Sequence, residues 1–176
     1  MKMNMSTRQR MKAYVLAFLL LIVVFTVAQS QSGERAATGG SSQAMSARYE
    51  DLTWQTMVAE LGNDSPQISI LRVDPKTKAT QLLIRTSKKM HVPMHWHSAN
   101  ETHTMIQGTA VFEHEGKREQ LGAGGFNYIP AKMQHQAWTS EGSVVFITVD
   151  GAWDVNWVGN PPRQADLGQM PPSSPR

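Results

Sequence analysis

The sequence predicts an all-β fold built as one sandwich or barrel, and three observations carry that prediction. Short runs of β-branched and aromatic residues recur between positions 48 and 160. Turn residues separate them. No long stretch of this body carries apolar residues at a helical period. The runs fall at 68–73, 80–85, 102–106, 109–113, 126–129 and 144–149, and the breaks between them include Asp74-Pro75, Glu115-Gly116, the glycines of 122–125 and Glu141-Gly142. Regular short strands with turns imply two packed sheets or a closed barrel. No internal repeat is visible, so one barrel is expected rather than two.

Along the chain, residues 1–12 are polar and basic, and 13–28 read AYVLAFLLLIVVFTVA. Thr26 and Ala28 supply small residues just before Gln29. A basic head, an apolar middle and a small-residue exit make an N-terminal signal peptide, so the body is expected to be exported, periplasmic or secreted, with no membrane attachment after cleavage. The alternative is an uncleaved anchor; the apolar run is slightly short for a span of about 20 residues. Residues 29–47 are rich in Ser, Gly, Gln and Ala and read as a flexible linker. The domain is expected over 48–160. Residues 161–176 hold five of the nine prolines and read as a disordered C-terminal tail.

Composition removes several functional classes. Four of the 17 basic residues (Lys2, Arg8, Arg10, Lys12) precede the apolar run, and the 13 that remain after residue 28 face 14 acidic ones. The body is therefore near neutral and has no basic stripe, which argues against nucleic acid as a partner. The absence of cysteine excludes disulfides, thiolate ligands and a cysteine nucleophile. Neither a phosphate-cradling Gly-rich loop followed by Lys-Ser/Thr nor a G-x-S-x-G nucleophile elbow is present.

The chemistry concentrates in Val92-Pro93-Met94-His95-Trp96-His97 and the residues up to Glu101. On a strand, residues two apart share a face, so His95 and His97 present two imidazoles side by side. After a short turn, Glu101 opens the next strand and can reach back. Two imidazoles and a carboxylate suit one divalent metal ion such as Fe, Mn, Zn, Ni or Cu. A fourth ligand is expected from a non-adjacent strand. His135 is the best candidate because it follows a second glycine-to-proline stretch ending at Pro130. Burying three histidines and a glutamate without an ion or hydrogen bonds would be costly.

His95-x-His97, three residues, Glu101, six residues, Gly108 resembles the first signature of the cupin superfamily. Gly124, five residues, Pro130 and then His135 resembles the second. The resemblance implies a single double-stranded β-helix, or jelly-roll, barrel with His95, His97, Glu101 and His135 as the metal ligands. Within the superfamily the chain looks most like the small cupins related to the ChrR anti-sigma-factor cupin and to acetylacetone dioxygenase. The stretch 92–97 and the end Gly151-Ala152-Trp153-Asp154-Val155 carry that likeness. It implies a metal-dependent dioxygenase or oxidoreductase acting on a small enolisable or phenolic compound. The alternative it implies is a non-catalytic zinc-binding sensor or small-molecule binding module. The chain departs from the pattern at Lys132, where a glycine is expected, and at Thr139, where an asparagine is expected.

Other residues are placed by alternation. His103, two beyond Glu101, should face inward, and with Glu101 it is a candidate for moving protons; its alternative role is to orient Glu101. His91 shares the parity of His95 but sits near the mouth, as a solvated histidine. His114 should be exposed at a hairpin turn. Met105 and Tyr128 are candidate pocket walls. Lys88-Lys89 reads as a solvated turn, with anion steering as the alternative. A homodimer through an edge strand is compatible with either function.

Overall fold

Alternation along the strands dictates the architecture. The structure, a computed structural model, describes residues 44–172; the signal segment 1–28, most of the linker 29–47 and the last tail residues 173–176 lie outside the described residues. Among the described residues, eleven strands form two antiparallel sheets. In chain order they are β1 (Gln55–Thr56), β2 (Gln67–Val73), β3 (Thr80–Arg85), β4 (Met90–Trp96), β5 (Glu101–Gln107) and β6 (Ala110–His114), then β7 (Lys117–Leu121), β8 (Phe126–Ile129), β9 (His135–Thr139), β10 (Val144–Val149) and β11 (Asn156–Trp157). One sheet runs β1-β2-β3-β10-β5-β8 and the other β11-β4-β9-β6-β7. This is the jelly-roll barrel. Among the described residues no helix is long and apolar enough to cross a membrane.

Strand β5 shows the period-2 logic. Glu101, His103 and Met105 are buried, while Ile106 is 54% exposed. They pair with Val149, Ile147 and Val145 of β10, so polar site and apolar core share one inner face. Leu82, Ile68, Ile147 and Val149 form one core cluster; Met105, Ala110, Phe112 and Ala137 form another. Full burial of such a side chain stabilises the fold by roughly 1.5–3 kcal/mol.

Three findings differ from the sequence expectations. Strand β7 reads Lys-Arg-Glu-Gln-Leu and has no apolar alternation; its pairing with β6 makes it a strand. Residues 161–172 are not a disordered tail. Pro162 is buried, Leu167 packs on Val58, Leu61 and Met90, and the Gly168 N–H donates to the Lys89 carbonyl at 2.7 Å. The apolar anchors outweigh the proline content. Finally, β4 is not regular. Its register against β9 shifts between Val92 and His95, so one extra residue is accommodated around Pro93-Met94. Proline cannot donate to the ladder, and bulges gather where it sits.

Candidate metal centre

The bulge in β4 sets the face of each histidine. Val92 opposes Ala137 and His95 opposes His135, so both point into the barrel. His91 turns outward, stacks on Trp138 at 4.9 Å and bonds Asp166 and Gln136. It is therefore a clamp on the C-terminal segment and stands outside the cavity, against the simple 91-93-95-97 alternation. His97 follows β4, and β9 delivers His135 directly opposite His95; against the sequence expectation of a non-adjacent strand, β9 is the neighbour of β4 in the sheet, though distant from it in the chain.

His95, His97 and His135 each offer one nitrogen, and those atoms lie within 4.8 Å of one another. The three rings are oriented alike. Nδ1 of His95 faces the Pro93 carbonyl at 2.7 Å, Nδ1 of His135 faces the Met133 carbonyl at 3.1 Å, and Nδ1 of His97 faces the Asp154 carbonyl. A carbonyl only accepts, so each Nδ1 carries the proton. Each Nε2 is left with its lone pair turned to the interior, which is how metal-binding histidines are commonly fixed.

Glu101 Oε2 lies 3.0 Å from His97 Nε2, 3.3 Å from His103 Nε2 and 3.8 Å from His135 Nε2. Despite the short distances the angles do not suit hydrogen bonds: Glu101 Oε2 and His135 Nε2 are buried with no hydrogen-bond partner. Leaving such atoms bare costs about 1–3 kcal/mol each, more if charged. A divalent ion among them would satisfy both, so the donor set fits a metal. His103 is held apart from the three-histidine group by its Nδ1 bond to Asn127 Oδ1 at 2.8 Å. It faces Glu101.

The electrostatics keep His95 and His135 neutral and ready to bind a metal, while His97 is drawn toward its protonated form by Glu101. Burial, with His135 next, pushes His95 down to about 3. Burial takes His135 to about 4, despite the upward pull of the Met133 carbonyl and Glu101. Burial also works against charge on His97, but Glu101 outweighs it and raises that ring. For Glu101 burial alone would raise the carboxyl; His103 and His97 more than reverse this and hold it at about 2.

These shifts set a pH dependence for the metal-free domain. Unfolding returns His95 and His135 to 6.5, so below that pH the unfolded chain binds more protons than the folded one. Stability should fall as pH drops from 6.5 toward 4, and again below 4.5 as the advantage of ionised Glu101 is lost. His97, raised in the fold, acts above this window: its contribution is lost as pH rises past 6.5 and is constant below it, so it leaves the acid-side loss unchanged. Thermal melts of chelator-treated protein across this range check the sign; a Tm that rises on acidification contradicts it.

The centre lies in a mostly apolar cavity of about 100 Å³ between the sheets, lined in part by Val92, Met105, Phe112, Ala137 and Val145. Met105, expected as a pocket wall, lines it and is 1% exposed. Tyr128 does not: it is 52% exposed on the outer face of β8. Glu101 opposes Ile129 in the register, so Ile129 and Asn127 share the inward parity and Tyr128 has the other. His114, expected to be exposed, is half-buried opposite His135. Lys132 takes the expected glycine's place with φ +65, and its N–H donates to the His97 carbonyl at 2.8 Å. The turn is thus kept without the glycine.

Sequence reasoning missed the cover of the site. Trp157 on β11 packs against His95 at 5.1 Å between ring centres, and Trp153 stacks on His97 at 6.4 Å. Asp154 lies between them and grips the ligand loop. Its carboxylate accepts from the Ser98 N–H at 2.9 Å and the Ser98 hydroxyl at 2.6 Å, while its carbonyl holds His97. The signal was the stretch Gly151-Ala152-Trp153-Asp154-Val155; nothing local marks Trp157. Replacing Asp154 with alanine should loosen His97 and weaken metal affinity about 10- to 100-fold. Competition with a chromophoric chelator measures this, and an unchanged affinity would remove Asp154 from the account.

Residues 86–150 match the family model described as "Cupin domain". Comparison with curated proteins returns no match. Among solved structures, the chain is similar to a candidate acetylacetone dioxygenase from Methylibium petroleiphilum, with a TM-score of 0.54 at 15% identity, over 69% of this chain and 88% of that one. An RmlC-like cupin from Shewanella frigidimarina gives 0.53 at 15% identity, over 62% and 93%. KdgF from Halomonas sp. gives 0.51 at 18%, over 61% and 92%. At these identities the similarity speaks for the fold.

Proposed function

We propose that this cupin is an exported, metal-dependent oxidoreductase of the dioxygenase type, acting on a small enolisable or phenolic compound. The observation that carries the reading is the convergence of three Nε2 lone pairs and the unpartnered Glu101 Oε2 inside an apolar cavity. In this reading His95, His97, Glu101 and His135 hold one divalent metal ion. Bound there, it would act as a Lewis acid toward a ligand oxygen and, if redox-active, support oxygen chemistry. The order of basic, apolar and small residues in 1–28 supports export.

The chain's own residues divide the remaining work. Val92, Phe112 and Val145 exclude water, which strengthens every charge interaction in the cavity. A proton released by an enolisable C–H or a phenol is received at His103 Nε2, which is free because Nδ1 donates to Asn127 Oδ1, and which lies 3.3 Å from Glu101 Oε2. Asn127 keeps the His103 ring turned toward Glu101. An oxygen-consumption screen of the iron-, manganese- and copper-loaded protein with β-diketones, flavonols and catechols tests this. Turnover lost in His103→Ala, with metal retained, supports it. Binding of these compounds without oxygen uptake by any loaded form would replace the enzyme with a binding module.

A further inference from the structure

Among the described residues, five buried side-chain atoms have no hydrogen-bond partner, and four belong to residues lining the metal cavity. Two of the four, Glu101 Oε2 and His135 Nε2, are accounted for by the metal. The others are Trp153 Nε1 and Thr139 Oγ1. Trp153 stacks over His97, beside the metal face. Thr139 lies at the other end: it shares the inward parity of His135 and Ala137 on β9, four residues along, or roughly 13 Å at strand rise. The buried Thr86 and Ser143 hydroxyls, which also line this cavity, already pair with each other at 2.6 Å. Thr139 stays free.

Buried orphan polar atoms are rare in folded proteins and call for an explanation. Their concentration in one cavity, with apolar walls between the two ends, supplies one. Resting on the metal-centre reading above, we infer that the cavity takes a slender two-ended ligand. One end carries an oxygen that reaches the metal face and accepts from Trp153 Nε1–H. The other end carries a hydroxyl or carbonyl that pairs with the Thr139 hydroxyl. Thr139 is then the residue that selects ligands with a distal polar group over purely aliphatic ones.

The test uses the zinc-loaded protein and two series of straight-chain hydroxamic acids, graded in length to span the cavity, with either a methyl or a hydroxyl terminus. Calorimetry reads the affinity. At one optimal length the hydroxyl-terminated compound should bind about tenfold tighter than its methyl partner. In Thr139→Val that preference should vanish, while metal content and affinity for the methyl series stay unchanged. Trp153→Phe should weaken both series equally. Removing an unpartnered hydroxyl should also leave ligand-free Thr139→Val at least as heat-stable as the parent. If zinc binds and the methyl series binds, but no length shows a hydroxyl preference, the two-ended ligand is overturned and the metal centre stands. If neither zinc nor any hydroxamate binds, the metal reading fails, and this inference with it.

Discussion

Replacing His135 with alanine should abolish stoichiometric metal binding and leave the barrel folded. His135 is 1% exposed, comes from a different strand than the other ligands, and holds a buried Nε2 with no partner. Its removal takes away the β9 nitrogen from the three-histidine group and should weaken metal affinity by at least about a hundredfold. The fold should tolerate it better than most core truncations: lost packing is partly offset by removing an unsatisfied buried atom. Elemental analysis and melts with and without metal separate the two effects. His91→Ala is the control. It lies on the outer face and should keep its metal, while loosening the Asp166 and Gln136 contacts.

The largest stability effect is expected at Gly108, which closes the hairpin between β5 and β6 with φ +74. A Cβ there would sit 2.7 Å from Ser140 Oγ and 2.9 Å from Ser143 Cα. The Ser140 hydroxyl turns away only by giving up the Thr109 N–H that it accepts at 2.9 Å; the Ser143 backbone, locked to Thr86, cannot move. Gly108→Ala should therefore lose about 2–4 kcal/mol, from the left-handed conformation and the overlap together, lowering Tm by about 10 °C. Gly116→Ala isolates the first contribution: its φ is +73 and nothing lies within 4 Å of the added atom. It should lose only about 1 kcal/mol. Equal losses in the two variants would show that the Ser143 contact is not felt.

Most of the centre was legible because it is local. His95, His97 and Glu101 occupy one hairpin, where strand parity and a short turn place side chains without knowledge of the rest. His135 needed more: only the spacing of Gly124 and Pro130 ahead of it singles out the strand, distant in sequence, that pairs with β4. Parity then failed wherever register was invisible. His91 appeared to share the inner face of His95, but the irregularity at Pro93-Met94 inverts the phase. Tyr128 is a candidate pocket wall by sequence, yet pairing of Ile129 with Glu101 sends Asn127 inward and Tyr128 out. Strand β7 and the C-terminal segment depend on partners. Lys117–Leu121 is a strand through β6, and Pro162 and Leu167 are ordered by a core distant in sequence. Trp153 and Trp157 cover the site for the same reason: tertiary packing on His97 and His95, with no periodic signature.

The most direct test of the central claim is elemental analysis of the protein purified without chelators, beside His95→Ala. The account predicts one divalent metal per chain in the parent and none in the variant, with both folded by circular dichroism. A folded parent without metal, which takes up none of Fe, Mn, Zn, Ni or Cu when each is added, would contradict it and leave the barrel with an unexplained cluster of buried histidines.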